Sequence, residues 1–260
     1  MIRLPFDALV CDLDGVIYRG DEVIPGAPEA IARLRSAGVR LLFCTNNSRS
    51  TVAEYTSKLR RLGVEIEPEE ILTSAVVTAE TLAARGFAGK TAIVVGGDGV
   101  RGALSEVCIS VKEDPSVTVS DLVVVGWDPG FTYDAMRRAA TAVRRGATFI
   151  ATNDDATFPA ADGLWPGAGS ILASIERASG GRAEVMGKPH APMMDAAQKR
   201  LEGAARIAIV GDRVDTDLAG GVERGWSTIL VLSGVTTEVQ ARGLSPRPDH
   251  VIGSIADIDQ

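Results

Sequence analysis

Short apolar runs alternate along the chain with stretches in which apolar residues recur three and four positions apart. Residues 6–11 and 39–44 are predominantly apolar, whereas 28–37 and 51–62 carry helical spacing. Runs of the first kind suit strands buried on both faces, and the order strand, helix, strand, helix predicts a mainly parallel sheet. Local signals agree: Pro28 falls in a first helical turn, Gly38 follows a helix end, and Thr51 with Glu54 forms a capping box. Farther on, 92–95, 122–125 and 148–151 read as strands and 133–144 and 169–178 as helices, a middle stretch able to form its own sheet. After Gly187 the alternation resumes, with a helix at 192–201, a strand at 207–210, a helix at 216–224, a strand at 228–232 and a short last strand near Val251. There is no internal repeat and no low-complexity segment.

Composition narrows the class. A chain of 260 residues with 45% hydrophobic content can bury a sizeable core as one large or two smaller domains. A formal charge of −7 disfavours nucleic-acid and anionic-membrane partners, which require clustered Lys and Arg. Every apolar run stops well short of the roughly 20 residues of a membrane span, and the first residues lack a long apolar signal core, so a soluble cytoplasmic protein is expected. Three cysteines, an odd number, argue for reduced thiols rather than a disulfide framework.

The chemistry lies where strands end. Cys11-Asp12-Leu13-Asp14-Gly15 closes the first strand, and alternation sets both carboxylates on one side beyond its carboxyl end. Two such charges require a cation or a shared proton, and a hard divalent ion prefers oxygen ligands. Alone, the pair reads as readily as turn or capping residues. Thr45-Asn46-Asn47-Ser48 ends the second strand before a helix, where hydroxyl, amide and peptide N–H groups can hold phosphate oxygens or simply cap the helix. Gly187-Lys188-Pro189 places a lysine in a tight turn, and Gly211-Asp212-Arg213-Val214-Asp215-Thr216-Asp217 opens a helix after another strand.

Taken together and in this order, these motifs resemble the haloacid dehalogenase (HAD) superfamily. The stretches Gly126-Trp127-Asp128-Pro129-Gly130, Ala151-Thr152-Asn153-Asp154-Asp155 and Pro166-Gly167-Ala168-Gly169-Ser170 narrow the likeness to its NagD-like, 4-nitrophenylphosphatase-like branch. The resemblance implies an α/β fold, a Rossmann-like core over 1–87 and 184–260 interrupted by an inserted α/β cap over 88–183. It further implies a phosphatase acting on a small phosphorylated metabolite. Asp12 would be the nucleophile that forms an aspartyl-phosphate, and Asp14 the general acid and later the base. Mg²⁺ would be held by the Asp12 and Asp212 carboxylates and the Asp14 main-chain carbonyl. Thr45, Asn46 and Lys188 would hold phosphoryl oxygens, and Asp217 would steady Lys188 or a metal-bound water. Relatives are often dimers through the cap, and the sequence leaves a homodimer open.

Other readings compete. Gly97-Asp98-Gly99-Val100-Arg101-Gly102 fits a dinucleotide fingerprint, although no acidic residue stands at the end of a following strand about 20 positions on. Receiver-like signalling modules share an acidic pocket and a lysine but are about half this length. A phosphotransferase or mutase of the same superfamily is the nearer alternative; a dehalogenase would have no need of the acid at Asp14. Asn153 to Thr157 are expected to contact the leaving group. Trp127, Phe131, Tyr133 and Trp165 are expected to pack, His190 to lie in a loop, and His250, beside Asp249 before a short strand, to have no role.

Overall fold

The computed structural model describes residues 2–3, 5–160 and 163–259. It divides into two compact units, one of residues 1–45, 53–72 and 194–260, the other of residues 46–52 and 73–193.

The first unit is built on a six-stranded sheet ordered His250–Ile252, Ser227–Val231, Ile207–Gly211, Ala8–Cys11, Arg40–Thr45, Ile71–Thr73. Ala8–Cys11 pairs parallel with Arg40–Thr45 on one side and Ile207–Gly211 on the other, and Ile207–Gly211 pairs parallel with Ser227–Val231. All four residues of Ala8–Cys11 are buried, as expected for a central strand covered on both faces. After this strand the chain winds to one side of the sheet, and residues 207–252 return to build the other side. Ala8–Cys11 and Ile207–Gly211 therefore flank the point where strand order reverses, where open α/β sheets bind ligands beyond the strands' carboxyl ends.

The helix Ala27–Ser36 carries Pro28 in its first turn, and Gly38 beyond its end has φ +83°. The helix expected at 216–224 begins differently. A π-helical turn, Val214–Leu218, precedes the short α-helix Ala219–Glu223.

The second unit has a five-stranded sheet ordered Glu184–Val185, Thr148–Ala151, Leu122–Val125, Thr91–Val95, Ser110–Val111, with parallel pairings throughout. The two-residue period decides its packing. Ile93, Val95, Val123 and Val125 join Ala139, Ala142, Ile171 and Ile175 in one core, so the helices Tyr133–Arg144 and Ala168–Ser179 cover that face. Ala92, Val94, Leu122 and Val124 point the other way, into a second core with Leu82, Val100 and Leu104 from the helices Ser74–Ala84 and Asp98–Glu106. Each buried Val, Leu and Ile side chain among these contributes about 1.5–3 kcal/mol.

An antiparallel hairpin of Thr157–Ala160 and Gly163–Pro166 adds to this unit and was not expected from the sequence. Trp165, expected to pack, is 45% exposed on it, and Leu164 is exposed too. Trp127 does pack: its ring stacks on Phe158 at 4.1 Å and its Nε1 donates to the Pro166 carbonyl at 3.1 Å.

Candidate active site

In the first unit the carboxyl ends of the two central strands lead directly into Asp12 and Asp212. The π-helical turn after Ile207–Gly211 turns Asp217 back towards them. Asp12, Asp212 and Asp217 are 8%, 3% and 2% exposed, and each offers a carboxylate oxygen within 4.8 Å of the others'. The expected part of Asp217, steadying Lys188 or a metal-bound water, is joined by a second possibility, since its carboxylate stands beside those of Asp12 and Asp212.

Three like charges in so small a volume repel strongly, and burial magnifies the cost. The donors are all hard oxygens. A divalent cation such as Mg²⁺ fits that set by charge and by ligand type.

The positions of the carboxylates are fixed by close packing. The Val235 N–H donates to Asp212 Oδ2 at 2.6 Å and the Arg213 N–H to Asp217 Oδ2 at 3.0 Å. Asp212 lies against Gly15 and Gly234: a Cβ at Gly15 would meet Asp212 Oδ2 at 2.5 Å, and one at Gly234 would collide with the same oxygen. Gly15 also has φ +79°, a left-handed conformation that side chains other than glycine rarely adopt.

Asp14 is half-buried and accepts from the Tyr18 hydroxyl at 3.4 Å. Burial first, and then the Asp14 charge, push the Tyr18 and Tyr55 phenols well above their usual range, so both remain neutral donors. The Lys58 ammonium lies 3.7 Å from the centre of the Tyr18 ring, a cation–π contact. Thr45 is buried at the end of its strand and hydrogen-bonds with Tyr55.

In the second unit the structure brings Asn46 and Lys188 together. The Asn46 amide accepts from the Lys188 N–H at 2.7 Å and donates to the Lys188 carbonyl at 3.0 Å. Its NH₂ group also reaches the Asp155 carboxylate oxygens at 3.1 and 3.2 Å. The Asn46 carbonyl accepts from Ser74 Oγ at 2.6 Å and from Asn153 Nδ2 at 2.7 Å. Ser48 and Thr152 share a further hydrogen bond of 2.8 Å. Asn153 is 3% exposed and its Oδ1 accepts from the Asp155 N–H at 3.2 Å.

His190 pairs with Asp154 at 3.2 Å, and that hydrogen bond lowers the Asp154 carboxyl below its usual range.

The glycine-rich stretch at 97–102 has a packing explanation. It follows Thr91–Val95 and opens the helix Asp98–Glu106, as a dinucleotide motif would. Yet the space beside Gly97 and Gly99 is filled by the main chain of Arg49 and Ser50, and the Gly99 N–H donates to the Arg49 carbonyl at 2.7 Å. The glycines admit residues 48–50 to the helix start, where a pyrophosphate would otherwise sit.

Two family models match the chain: one described as haloacid dehalogenase-like hydrolase over residues 9–110, and a HAD-hydrolase-like model over residues 185–258. An acid sugar phosphatase of Staphylococcus haemolyticus is 36% identical over 246 residues, covering 94% of this chain and 92% of the relative. This chain belongs to the haloacid dehalogenase-like hydrolases. It falls in their NagD-like branch and is an enzyme of the phosphatase class. Among solved structures, the p-nitrophenyl phosphatase of Archaeoglobus fulgidus superposes with a TM-score of 0.89 at 31% identity, covering 97% of both chains. A glycerol phosphate phosphatase of Mycobacterium tuberculosis, solved with magnesium, gives a TM-score of 0.86 at 31% identity, covering 96% of this chain and 75% of that one.

Proposed function

We propose that this HAD hydrolase is a Mg²⁺-dependent phosphatase of small phosphate monoesters that works through an aspartyl-phosphate on Asp12. The observation that carries the reading is the buried cluster of Asp12, Asp212 and Asp217 beyond the strands that flank the reversal of strand order. The relatives named for acid sugar, p-nitrophenyl and glycerol phosphate activity support the substrate class.

Mg²⁺ would be held by the Asp12 and Asp212 carboxylates and the Asp14 main-chain carbonyl, with Asp217 at its side. When bound, the ion neutralises negative charge on the phosphoryl group and on the cluster. An Asp12 carboxylate oxygen attacks phosphorus in line, the phosphorus–oxygen bond to the ester breaks, and the leaving alkoxide takes a proton from Asp14. Asp14, now ionised, accepts a proton from the water that attacks the phosphorus of the aspartyl-phosphate. Orthophosphate leaves, and both carboxyl groups return to their starting states. The buried Lys188 ammonium offsets charge on the transferred group, and Thr45 and Asn46 hold its oxygens. Because the Asn46 amide is committed to Lys188 and Asp155, any contact it makes to phosphate runs through its peptide.

Residues 88–183 would form the cap that selects the leaving group, in a cytoplasmic setting. Phosphate release from a panel of sugar phosphates, glycerol phosphate, phosphoglycolate, nucleoside monophosphates and 4-nitrophenyl phosphate, with Mg²⁺ present, tests the reading. Release from at least one small ester is expected. Release from none of them would contradict it.

A further inference from the structure

We infer that Asp155 is a positioning residue for phosphate capture, acting through the Asn46 amide on Lys188. The inference rests on the phosphatase reading above and deepens it.

Asn46 meets Lys188 at two points, taking its N–H and giving to its carbonyl, much as a neighbouring strand would. This side-chain clamp fixes the peptide from which the lysine side chain departs. An amide can fulfil both contacts only in one orientation; flipped by half a turn, it would set NH₂ against N–H and oxygen against oxygen. Asp155 decides that orientation. Its carboxylate can only accept, and it takes the second Asn46 N–H at 3.1 and 3.2 Å, a charge-assisted hydrogen bond.

The loop that carries Asp155 is itself held. Asn153 Oδ1 accepts the Asp155 N–H at 3.2 Å while Asn153 Nδ2 donates to the Asn46 carbonyl at 2.7 Å. Close approach at the lysine turn is required as well: a Cβ at Gly187 would meet Asn46 Oδ1 and the Thr152 carbonyl, each at 2.6 Å. Lys188 is 2% exposed, so a displaced peptide cannot be compensated by letting the ammonium swing through solvent. The chain thus sets the place of its phosphate-binding cation from a residue that never touches phosphate.

The test is a double-mutant cycle between Asp155→Ala and Lys188→Ala on the Mg²⁺-loaded protein. It is read as kcat/KM for 4-nitrophenyl phosphate and as inhibition by orthophosphate. Asp155→Ala is expected to weaken orthophosphate inhibition and lower kcat/KM about tenfold, as loss of a charged hydrogen bond does. Asp155→Asn, whose oxygen still accepts from Asn46, should recover part of that loss. In the Lys188→Ala background Asp155→Ala should cost nothing further, and the ranking of esters should stay that of the wild type. A merely structural contribution would add its full factor in both backgrounds and so overturn the inference. Unchanged orthophosphate inhibition in Asp155→Ala, or a changed ranking of esters, would overturn it too. If Asp155→Ala does not fold, the Asp155→Asn cycle decides by the same criteria. A wild type that hydrolyses no ester refutes the phosphatase reading; an active wild type with an additive cycle refutes the positioning role alone.

Discussion

At the residue scale, the identity of each group near Asp12 is set by what lies within a few ångströms. Gly15 combines φ +79° with a Cβ position 2.5 Å from Asp212 Oδ2, so Gly15→Ala strains the backbone and displaces a proposed metal ligand together. It is expected to cut kcat/KM by roughly a hundredfold, the scale of a 1 Å misplacement. Gly38→Ala is the control. Gly38 also has positive φ, +83°, but nothing lies within 4 Å of its Cβ position. That variant is expected to lose about 1–2 kcal/mol of stability and no activity. Thermal unfolding and steady-state kinetics of the two variants separate backbone strain from damage to the site. Asp12, Asp14, Asp212 and Asp217 could be picked out in the sequence as candidates because they stand in motifs that follow apolar strands. The approach of Asp217 to Asp12 and Asp212 could not, because it depends on a π-helical turn where the spacing predicts an α-helix. Nor could the Asn46 clamp, which joins residues 142 positions apart.

At the element scale, alternation between apolar runs and helical spacing was enough to reveal the parallel sheets, since strands buried on both faces leave the clearest pattern. Ala8–Cys11, Leu122–Val125 and Thr148–Ala151 lie where that pattern sets them. The hairpin Thr157–Ala160 with Gly163–Pro166 was missed because its strands are short and interrupted by Pro and Gly. Small latches hold strand ends in register. Asp249 accepts from the Thr228 N–H at 2.8 Å and hydroxyl at 2.9 Å, joining Ser227–Val231 to the approach of His250–Ile252. The Thr228 N–H bond is the main cause that holds the Asp249 carboxyl below its usual range. Its folded pKa is therefore below its unfolded value, so the stabilisation is complete above about pH 4 and is lost as pH falls through the depressed folded value. Thr228→Val should cost about 1 kcal/mol at pH 7, with a smaller difference from wild type at acidic pH. Denaturant unfolding at the two pH values checks it; an equal cost at both would show that the latch does not depend on the Asp249 charge.

At the scale of the whole molecule, each unit closes around its own parallel sheet, and the chemistry is concentrated in loops at strand ends. Among the described residues, no helix is long and apolar enough to cross a membrane. The net charge of −7 makes a local concentration of positive charge necessary for any anionic substrate, and the cation that fits the acidic cluster would help to meet that need. The most direct test of the Asp12 mechanism compares three initial rates of phosphate release from a small ester that the wild type hydrolyses. They are wild type with Mg²⁺, wild type with excess chelator, and Asp12→Asn with Mg²⁺. Release is expected in the first alone, with the other two lower by about a thousandfold or more. Undiminished release under chelator, or from Asp12→Asn, would contradict it.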